Sequence, residues 1–218
     1  MNWDELEKYI DPLGYVTLND QAVDGPGAGN LLLHTGLYYV SAYQAEHIPK
    51  KQFSEVVKHS EVKTGLYWRS PYKIGDRQEH DDYLGISAAA YFYAPQIAKD
   101  IVKHGEDHAW CYNSQNPDKF EVTLLHDRFP GQVDFYKMCA HENISIWSQL
   151  ILVIRALLLS FASQDDSHIQ AYLILTVGKY ANPFLFYPAW WISPLRKSPG
   201  KSFEKYLGTG HPLSRIEK

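Results

Sequence analysis

The sequence predicts an all-α protein built from antiparallel helical hairpins. Apolar residues recur mostly at helical spacing, in about six to eight segments, with little of the period-two alternation typical of half-buried strands. Hydrophobic residues make up 45% of the 218 residues and charged residues 21%, close to the average of globular proteins. We expect one domain over residues 1–218, since single domains commonly reach about 200 residues.

The predicted helices follow the runs of helical spacing. They cover residues 3–10, 31–48, 51–59, 82–104, 131–140, 144–162 and 168–179. The first run stops at Asp11-Pro12, because the residue before a proline is steered out of the helical region. Asn30 suits the cap of the second run, and Pro49 suits the approach to the third. Pro95 predicts a kink or break inside the fourth.

The segments between the helices are predicted to be loops, with one short strand. Residues 13–24 read as extended or looped, and residues 65–80 as a long polar loop. We expect a short irregular or β segment near residues 108–127, because its character is mixed and a strand pattern appears over 120–125.

Residues 144–162 approach the length of a membrane span but contain Gln149 and Arg155. A charge inside hydrocarbon is costly, so the segment predicts a buried core helix and no membrane contact. After Asn182, aromatic residues alternate with prolines over 184–200, which predicts an irregular covering segment. Residues 192–218 are predicted to complete that cover and to end in a flexible tail.

The net charge and the cysteine content limit which partners and which cellular compartment we expect. The net charge of −4 gives no electrostatic case for nucleic acid, and the basic stretch over 196–205 reads as a solvated tail. Cys111 and Cys139 are predicted to be free thiols in a reducing compartment, because a chain of this length needs no disulfide. The first residues carry no secretory signal pattern. We therefore expect a cytoplasmic protein.

The densest chemistry lies in residues 65–93, ahead of and within the fourth predicted helix. Asp81 and Asp82 are adjacent carboxylates at a helix start, where the helix dipole favours their ionised form. The pattern predicts Asp81 or Asp82 as a general base, His80 as a proton shuttle and Arg69 as an anion holder. The alternative is that one of the two carboxylates only caps the helix.

Other residues are predicted to bind substrate around these four. They are Asp24, His34, Tyr67, Trp68, Arg77, Tyr83 and Arg155. The glycine-rich loop over 24–30 is expected to bring Asp24 and His34 to the cavity. Arg155 lies in an apolar helix, so it needs an acidic partner, with Asp82, Asp81 or Asp24 as candidates, or else it reaches the surface along its stem. No metal and no cofactor is predicted.

Three stretches carry a resemblance to known proteins: GNLLLHTGLYY, EHDDYLGISAAAYF and RFPGQVDFYKMCA. Their amino-acid sequences resemble those of uncharacterised proteins encoded by tailed bacteriophages. The helical hairpins, small-residue helix faces, and acids with aromatics at helix ends resemble the α/α-toroid proteins of the six-hairpin glycosidase and polysaccharide lyase type. A complete toroid of twelve helices needs a longer chain, so this resemblance implies either a partial toroid or a similarity in helical-hairpin packing alone.

The resemblance and the site together predict a hydrolase or lyase that acts on a carbohydrate-like or other polar polymer, in the cytoplasm of an infected host cell. One alternative is a non-catalytic phage accessory or assembly protein whose C-terminal aromatic segment, with Trp190 and Trp191, docks a protein partner. Another is a metal-dependent phosphohydrolase of the HD type, suggested by His80-Asp81, His126-Asp127 and His59. Against it, the residues before His80 are polar and His126-Asp127 runs into a turn.

Overall fold

The structure, a computed structural model, describes part of the chain. The described residues are 3–17, 31–68, 70–72, 80–110, 112, 131–162, 167–197, 199, 203, 207 and 211–215. Within them the α-helices are α1 Trp3–Leu6, α2 Leu31–Gln44, α3 Phe53–Lys58, α4 His80–Tyr93, α5 Pro95–Asp107, α6 Gln132–Cys139, α7 Ile146–Phe161, α8 Ser167–Ala181 and α9 Pro183–Ile192. The predicted all-α class with a short β segment is confirmed.

The β structure in the described part is a two-stranded antiparallel sheet of β1 Glu61–Lys63 and β2 Leu66–Tyr67. It therefore lies earlier in the chain than the segment predicted near 108–127. Most of that predicted segment falls outside the described residues. Short 3-10 turns occur at Glu7–Tyr9, Pro194–Arg196 and Pro212–Arg215.

Helix α4 lies at the centre of the fold and packs against α2, α3, α5, α6 and α8. Its closest neighbour is α2, because glycines face each other where the two helices meet. A Cβ built at Gly85 would lie 2.6 Å from the Cα of Leu33, and one built at Gly36 would collide with the carbonyl group of Gly85. The small-residue face of Gly85, Ala88 and Ala89 is thus a packing feature, and both alanines are fully buried.

Two proline signals, Pro12 and Pro95, place helix boundaries correctly. The run predicted over 82–104 is two helices, α4 and α5, and Pro95 stands in the first turn of α5. A proline fits there because the first turn of a helix has no partner for its backbone N–H groups. The run predicted over 3–10 ends before Asp11, as expected, although its second half is a 3-10 turn.

Helix α8 is the most enclosed of the C-terminal helices. It is covered by α7 and α9, which also contact each other. Ten of its 15 residues are buried, among them Tyr172, Leu173, Ile174 and Leu175. Helices α7 and α9 therefore form an outer layer over α8.

Two predictions about this layer are wrong. The segment over 144–162 is not a buried core helix, since only Leu152, Ala156 and Ser160 of α7 are buried. Residues 183–192 are helical although Pro188 lies inside the helix. Pro188 has no backbone N–H, so the carbonyl oxygen of Phe184 lacks its helical hydrogen bond. Phe184 is 94% exposed, so water can solvate this oxygen.

The C-terminal residues that the structure describes pack against the rest of the protein. Leu195, Phe203 and Leu213 are buried, and the Nε2 of His211 hydrogen-bonds the carbonyl oxygen of Thr17 at 3.0 Å. None of the helices in the described ranges has both the length and the apolar character needed to span a bilayer.

Candidate functional site

The two candidate carboxylates lie in the first turn of α4 and are withdrawn from solvent. Asp81 is 5% exposed and Asp82 is 0% exposed. The backbone N–H of Asp82 donates to Oδ1 of Asp81 at 3.1 Å. Helix α4 begins at His80, so neither aspartate occupies the cap position that the sequence suggested. Both stand where the positive end of the helix dipole favours a carboxylate.

A cluster of buried tyrosines surrounds the next residue, Tyr83. Its ring lies 4.2 Å from the ring of Tyr112 and 6.3 Å from that of Tyr67, measured between centroids. The phenol oxygen of Tyr83 accepts the backbone N–H of Tyr67 at 3.1 Å. Tyr136 completes the cluster at 6.4 Å from Tyr83. The structure thus brings the rings of Tyr67 and Tyr83 together in a buried cluster, and their role in substrate binding stays a prediction.

Arg155 approaches this cluster from α7. Burial lowers the pKa of its guanidinium, and the phenol of Tyr136 acts in the opposite direction. Tyr136 also accepts a hydrogen bond of 2.7 Å from Nε2 of Gln132. Burial raises the pKa of Tyr136 well above its ordinary value, so the phenol stays neutral. The acidic partner expected for Arg155 stays a prediction.

Of the remaining predicted site residues, some are described by the structure and others are not. His34 is buried on α2, and Trp68 is half-buried with its backbone N–H donating to the carbonyl oxygen of Ser60 at 2.6 Å. Asp24, Arg69, Arg77 and the side chain of His80 lie outside the described residues.

A cavity of about 230 Å³ opens elsewhere, between the N-terminal turn and the loop after α2. Its lining residues are Glu7, Ile10, Asp11, Pro12, Tyr38, Tyr39, Lys50 and Lys51. Nζ of Lys50 lies 2.6 Å from a carboxylate oxygen of Glu7, so these two charges neutralise each other at the rim. This cavity contains none of the predicted catalytic or substrate-binding residues.

The most distinctive surface is formed by the outer layer of α7 and α9. We call it the outer face. Large hydrophobic side chains are exposed there: Ile146, Trp147, Ile151, Ile154, Leu158 and Phe161 on α7, and Phe184, Tyr187, Trp191 and Ile192 on α9. Isolated exposed apolar residues are ordinary, but a contiguous apolar patch of this extent marks an interaction surface.

The two helices of the outer face run side by side. Nδ2 of Asn182, at the start of α9, donates to Oε1 of Gln149 in the first half of α7 at 2.6 Å. The 3-10 turn Pro194–Arg196, which follows α9, also contacts α7. Helix α9 therefore lies along α7 and their exposed side chains form one surface.

Cations border the outer face, and its sequence carries no acid. Residues 143–162 and 167–203 contain no aspartate or glutamate. The guanidinium of Arg196 lies 4.3 Å from the ring centroid of Trp191, and Nζ of Lys179 lies 4.1 Å from that of Trp190. Each is a cation–π contact, in which the face of the aromatic ring attracts the cation.

Sequence reasoning pointed to the aromatic segment that forms α9 but missed the α7 part of the outer face, because α7 is apolar almost all round, which hides its periodicity. The signal was the placement of small residues. Ala156 and Ser160 follow Leu152 at intervals of four, and these three mark the side that packs inward. Large residues on the opposite side, such as Ile154 and Leu158, are therefore directed to solvent.

The structure offers no support for a metal centre among the residues it describes. No group of three or more histidine, cysteine, aspartate or glutamate side chains there could hold an ion. His59 is exposed, and His126 and Asp127 lie outside the described residues. Comparison with known proteins found no matching family model, no matching curated protein and no matching solved structure.

Proposed function

We propose that this chain is a non-catalytic binding or assembly protein that contacts a protein partner through the outer face. The observation that carries the proposal is the exposure of ten large hydrophobic side chains on α7 and α9. Leaving so much apolar surface in water is unfavourable, and a partner that covers it recovers that free energy.

The composition of the outer face favours a protein partner. It combines an apolar centre with exposed Trp147, Tyr187 and Trp191, and it has Arg196 at its border. Tryptophan, tyrosine and arginine are the residues that most often dominate protein–protein binding energy. Helices that lie on anionic membranes are instead rich in lysine and arginine, whereas α7 carries Arg155 as its one charged residue.

The two tryptophans predicted to dock a partner have different roles. Trp191 is 61% exposed and belongs to the outer face. Trp190 is half-buried, and its ring lies 6.0 Å from that of Tyr172 in α8. We therefore assign partner contact to Trp191 and internal packing to Trp190.

Site-specific photo-crosslinking tests this function. A benzophenone amino acid replaces Leu158 or Trp191 in the full chain, inside cells that carry the gene, and adducts are identified by mass spectrometry. The matched control carries the same group at Ile48, which is 86% exposed but lies outside the outer face. We expect defined protein adducts from positions 158 and 191 and none of these from position 48.

A second substitution, Trp147→Glu, should remove the adducts of position 158, because a carboxylate beside the contact cannot be buried unpaired. The proposal is wrong if positions 158 and 191 give only lipid adducts, or the same adducts as position 48.

A second candidate function is hydrolysis or elimination on a carbohydrate-like or other polar polymer. The observation in its favour is the burial of both Asp81 and Asp82, since a helix cap works in full contact with water and does not require burial. Two neighbouring carboxylates in a low-dielectric setting can divide acid and base roles.

Its test is the release of reducing or unsaturated ends across a glycan panel. Activity of the wild-type protein that Asp81→Asn abolishes, with the circular dichroism spectrum unchanged, would support it. The absence of turnover and binding across the panel would remove it.

A further inference from the structure

We propose that the partner at the outer face is a second copy of this chain, with the two α7 helices packed antiparallel around a two-fold axis near Ile154. This inference rests on the proposed function, because it names the occupant of the same surface. It follows from the spacing, the symmetry, the charge and the area of the exposed side chains.

The exposed hydrophobic residues of α7 are spaced as in a helix that packs against another helix. Its outward stripe consists of Trp147, Ile151, Ile154, Leu158 and Phe161. The intervals alternate between four and three residues, which keeps the side chains on one line along the helix. A second straight helix covers such a line along its whole length, and α7 spans 16 residues.

The stripe is close to symmetric about its centre. Trp147 stands seven residues before Ile154 and Phe161 seven residues after it. Ile151 stands three residues before Ile154, and Leu158 stands four residues after it. An antiparallel copy therefore places an aromatic ring opposite an aromatic ring, and an aliphatic side chain opposite an aliphatic one. A two-fold interface requires this self-complementarity, since the same patch serves both subunits.

Charge does not oppose the pairing. The one charged residue of α7, Arg155, is half-buried and does not belong to the outward stripe. The cations Arg196 and Lys197 follow the far end of α9. Because α9 lies along α7, an antiparallel copy brings the two cation groups to opposite ends of the interface. Antiparallel helices also oppose their dipoles, which is the favourable arrangement.

The area available matches what a stable dimer needs. The six exposed side chains of α7 have exposed fractions between 43% and 74%. An aromatic side chain buries about 150–250 Å² in full, so Trp147 and Phe161 alone offer about 200–350 Å², and the four aliphatic side chains bring α7 towards the roughly 800 Å² per partner that a standard interface covers. Side chains of α9, such as Phe184 and Trp191, extend the contact beyond that size.

Sedimentation equilibrium of the full chain tests the proposal. We expect wild-type protein to be a dimer at micromolar concentration. Ile154→Glu should weaken dimerisation by at least about 100-fold, because two carboxylates then meet near the axis without a counter-charge. The matched control Ile48→Glu changes an equally apolar exposed residue away from the outer face and should leave the dimer intact.

Disulfide trapping tests the antiparallel arrangement, in a Cys111→Ser background. The native Cys139 is fully buried and does not compete. Ile154→Cys alone should form a covalent dimer under mild oxidation. Trp147→Cys and Phe161→Cys should form one when the two variants are mixed, and much less when each is oxidised alone.

A wild-type protein that stays monomeric at all concentrations overturns the inference, and so does efficient trapping of Trp147→Cys with itself. A monomer whose position 158 nevertheless crosslinks a different protein overturns the second-copy inference and leaves the proposed function standing. A monomer that gives lipid adducts only overturns both.

Discussion

The carbonyl group of Gly85 occupies the space where a side chain at Gly36 would begin. This contact sets the distance between α2 and α4, the two helices that enclose the centre of the protein. It also explains why both helices carry their glycines at this level, since any Cβ would push the backbones apart. The position of the buried first turn of α4 depends on it.

Gly36→Ala is expected to destabilise the protein, even though alanine favours a helix by about 1 kcal/mol over glycine. The obstructing atoms belong to the backbone of Gly85, which cannot rotate away as a side chain could, so we expect a net loss of about 2 kcal/mol or more. Urea denaturation measures it. Lys99→Ala on the exposed side of α5 is the matched control and should change stability by less than about 0.5 kcal/mol. Equal stability of Gly36→Ala and wild type would contradict the close approach.

Asp11 organises the N-terminal turn from a buried position. Its Oδ1 accepts the backbone N–H groups of Gly14 and Tyr15 at 2.7 and 2.8 Å, and its Oδ2 accepts the hydroxyl of Tyr72 at 2.7 Å. Asp11→Ala leaves two buried N–H groups without this acceptor, so we expect a loss of about 3 kcal/mol. Tyr72→Phe should cost about 1 kcal/mol.

A double-mutant cycle separates the two effects of Asp11. If the hydroxyl of Tyr72 acts through Asp11, then Tyr72→Phe should cost nothing once Asp11→Ala is present. Tyr187→Phe, on the outer face, provides a comparison that should leave stability unchanged. Fully additive losses for Asp11→Ala and Tyr72→Phe would disprove the coupling.

The sequence indicated that the first helical run ends at Asp11, but it gave no sign of the contacts that Asp11 makes. A proline after Asp11 is a local signal, since it acts on the backbone of its immediate neighbour. The hydroxyl of Tyr72 comes from 61 residues further along the chain. Only the tertiary structure brings such groups together, and the same holds for the packed rings of Tyr83 and Tyr112.

The stability of the protein should fall as pH is lowered from 7 to 5, and His104 should account for much of the change. Burial lowers the pKa of His104 to about 4, and the charges of His108 and Lys63 act in the same direction, while Asp107 opposes them. The unfolded chain, with a histidine pKa near 6.5, binds the proton first. The free energy of unfolding should therefore drop by about 2 kcal/mol between pH 7 and pH 5.

His104→Phe keeps a ring between His108 and Tyr112, whose centroids lie 4.1 and 5.5 Å from that of His104. Its unfolding free energy should depend much less on pH over the same interval, as measured by urea denaturation. A remaining slope of the same sign is expected from His211, whose pKa is also lowered by burial. An unchanged slope in His104→Phe would show that this histidine is not the group that titrates.

Lys179 should react with acylating reagents at a lower pH than an ordinary lysine. Burial lowers its pKa to about 8. Its Nζ lies 4.1 Å from the ring centroid of Trp190, an arrangement that favours the charged form. Trp190→Leu should lower the pKa of Lys179 further, by roughly 0.5–1 unit, since cation–π attraction is lost. Mass spectrometry of acetic anhydride labelling against pH reads out each lysine separately.

Lys103 is the internal control for this labelling, because its hydrogen bond to Asp107 raises its pKa. If the labelling of Lys179 and Lys103 had the same pH dependence, this would contradict the burial of Lys179. A pKa of Lys179 that does not move in Trp190→Leu would show that the ring contributes no attraction.

The amino-acid sequence alone determined where the helices before α9 begin and break, which class of fold they form, and which helix faces consist of small side chains. These properties depend on neighbours within a few residues, through proline, glycine and the 3.6-residue period. It did not determine which side of an apolar helix meets the core. Only the tertiary structure decided that Leu152, Ala156 and Ser160 pack inward while Trp147 and Leu158 stay in water. The reason is that burial depends on the surface a neighbouring helix offers, and in α7 that surface is set by α8.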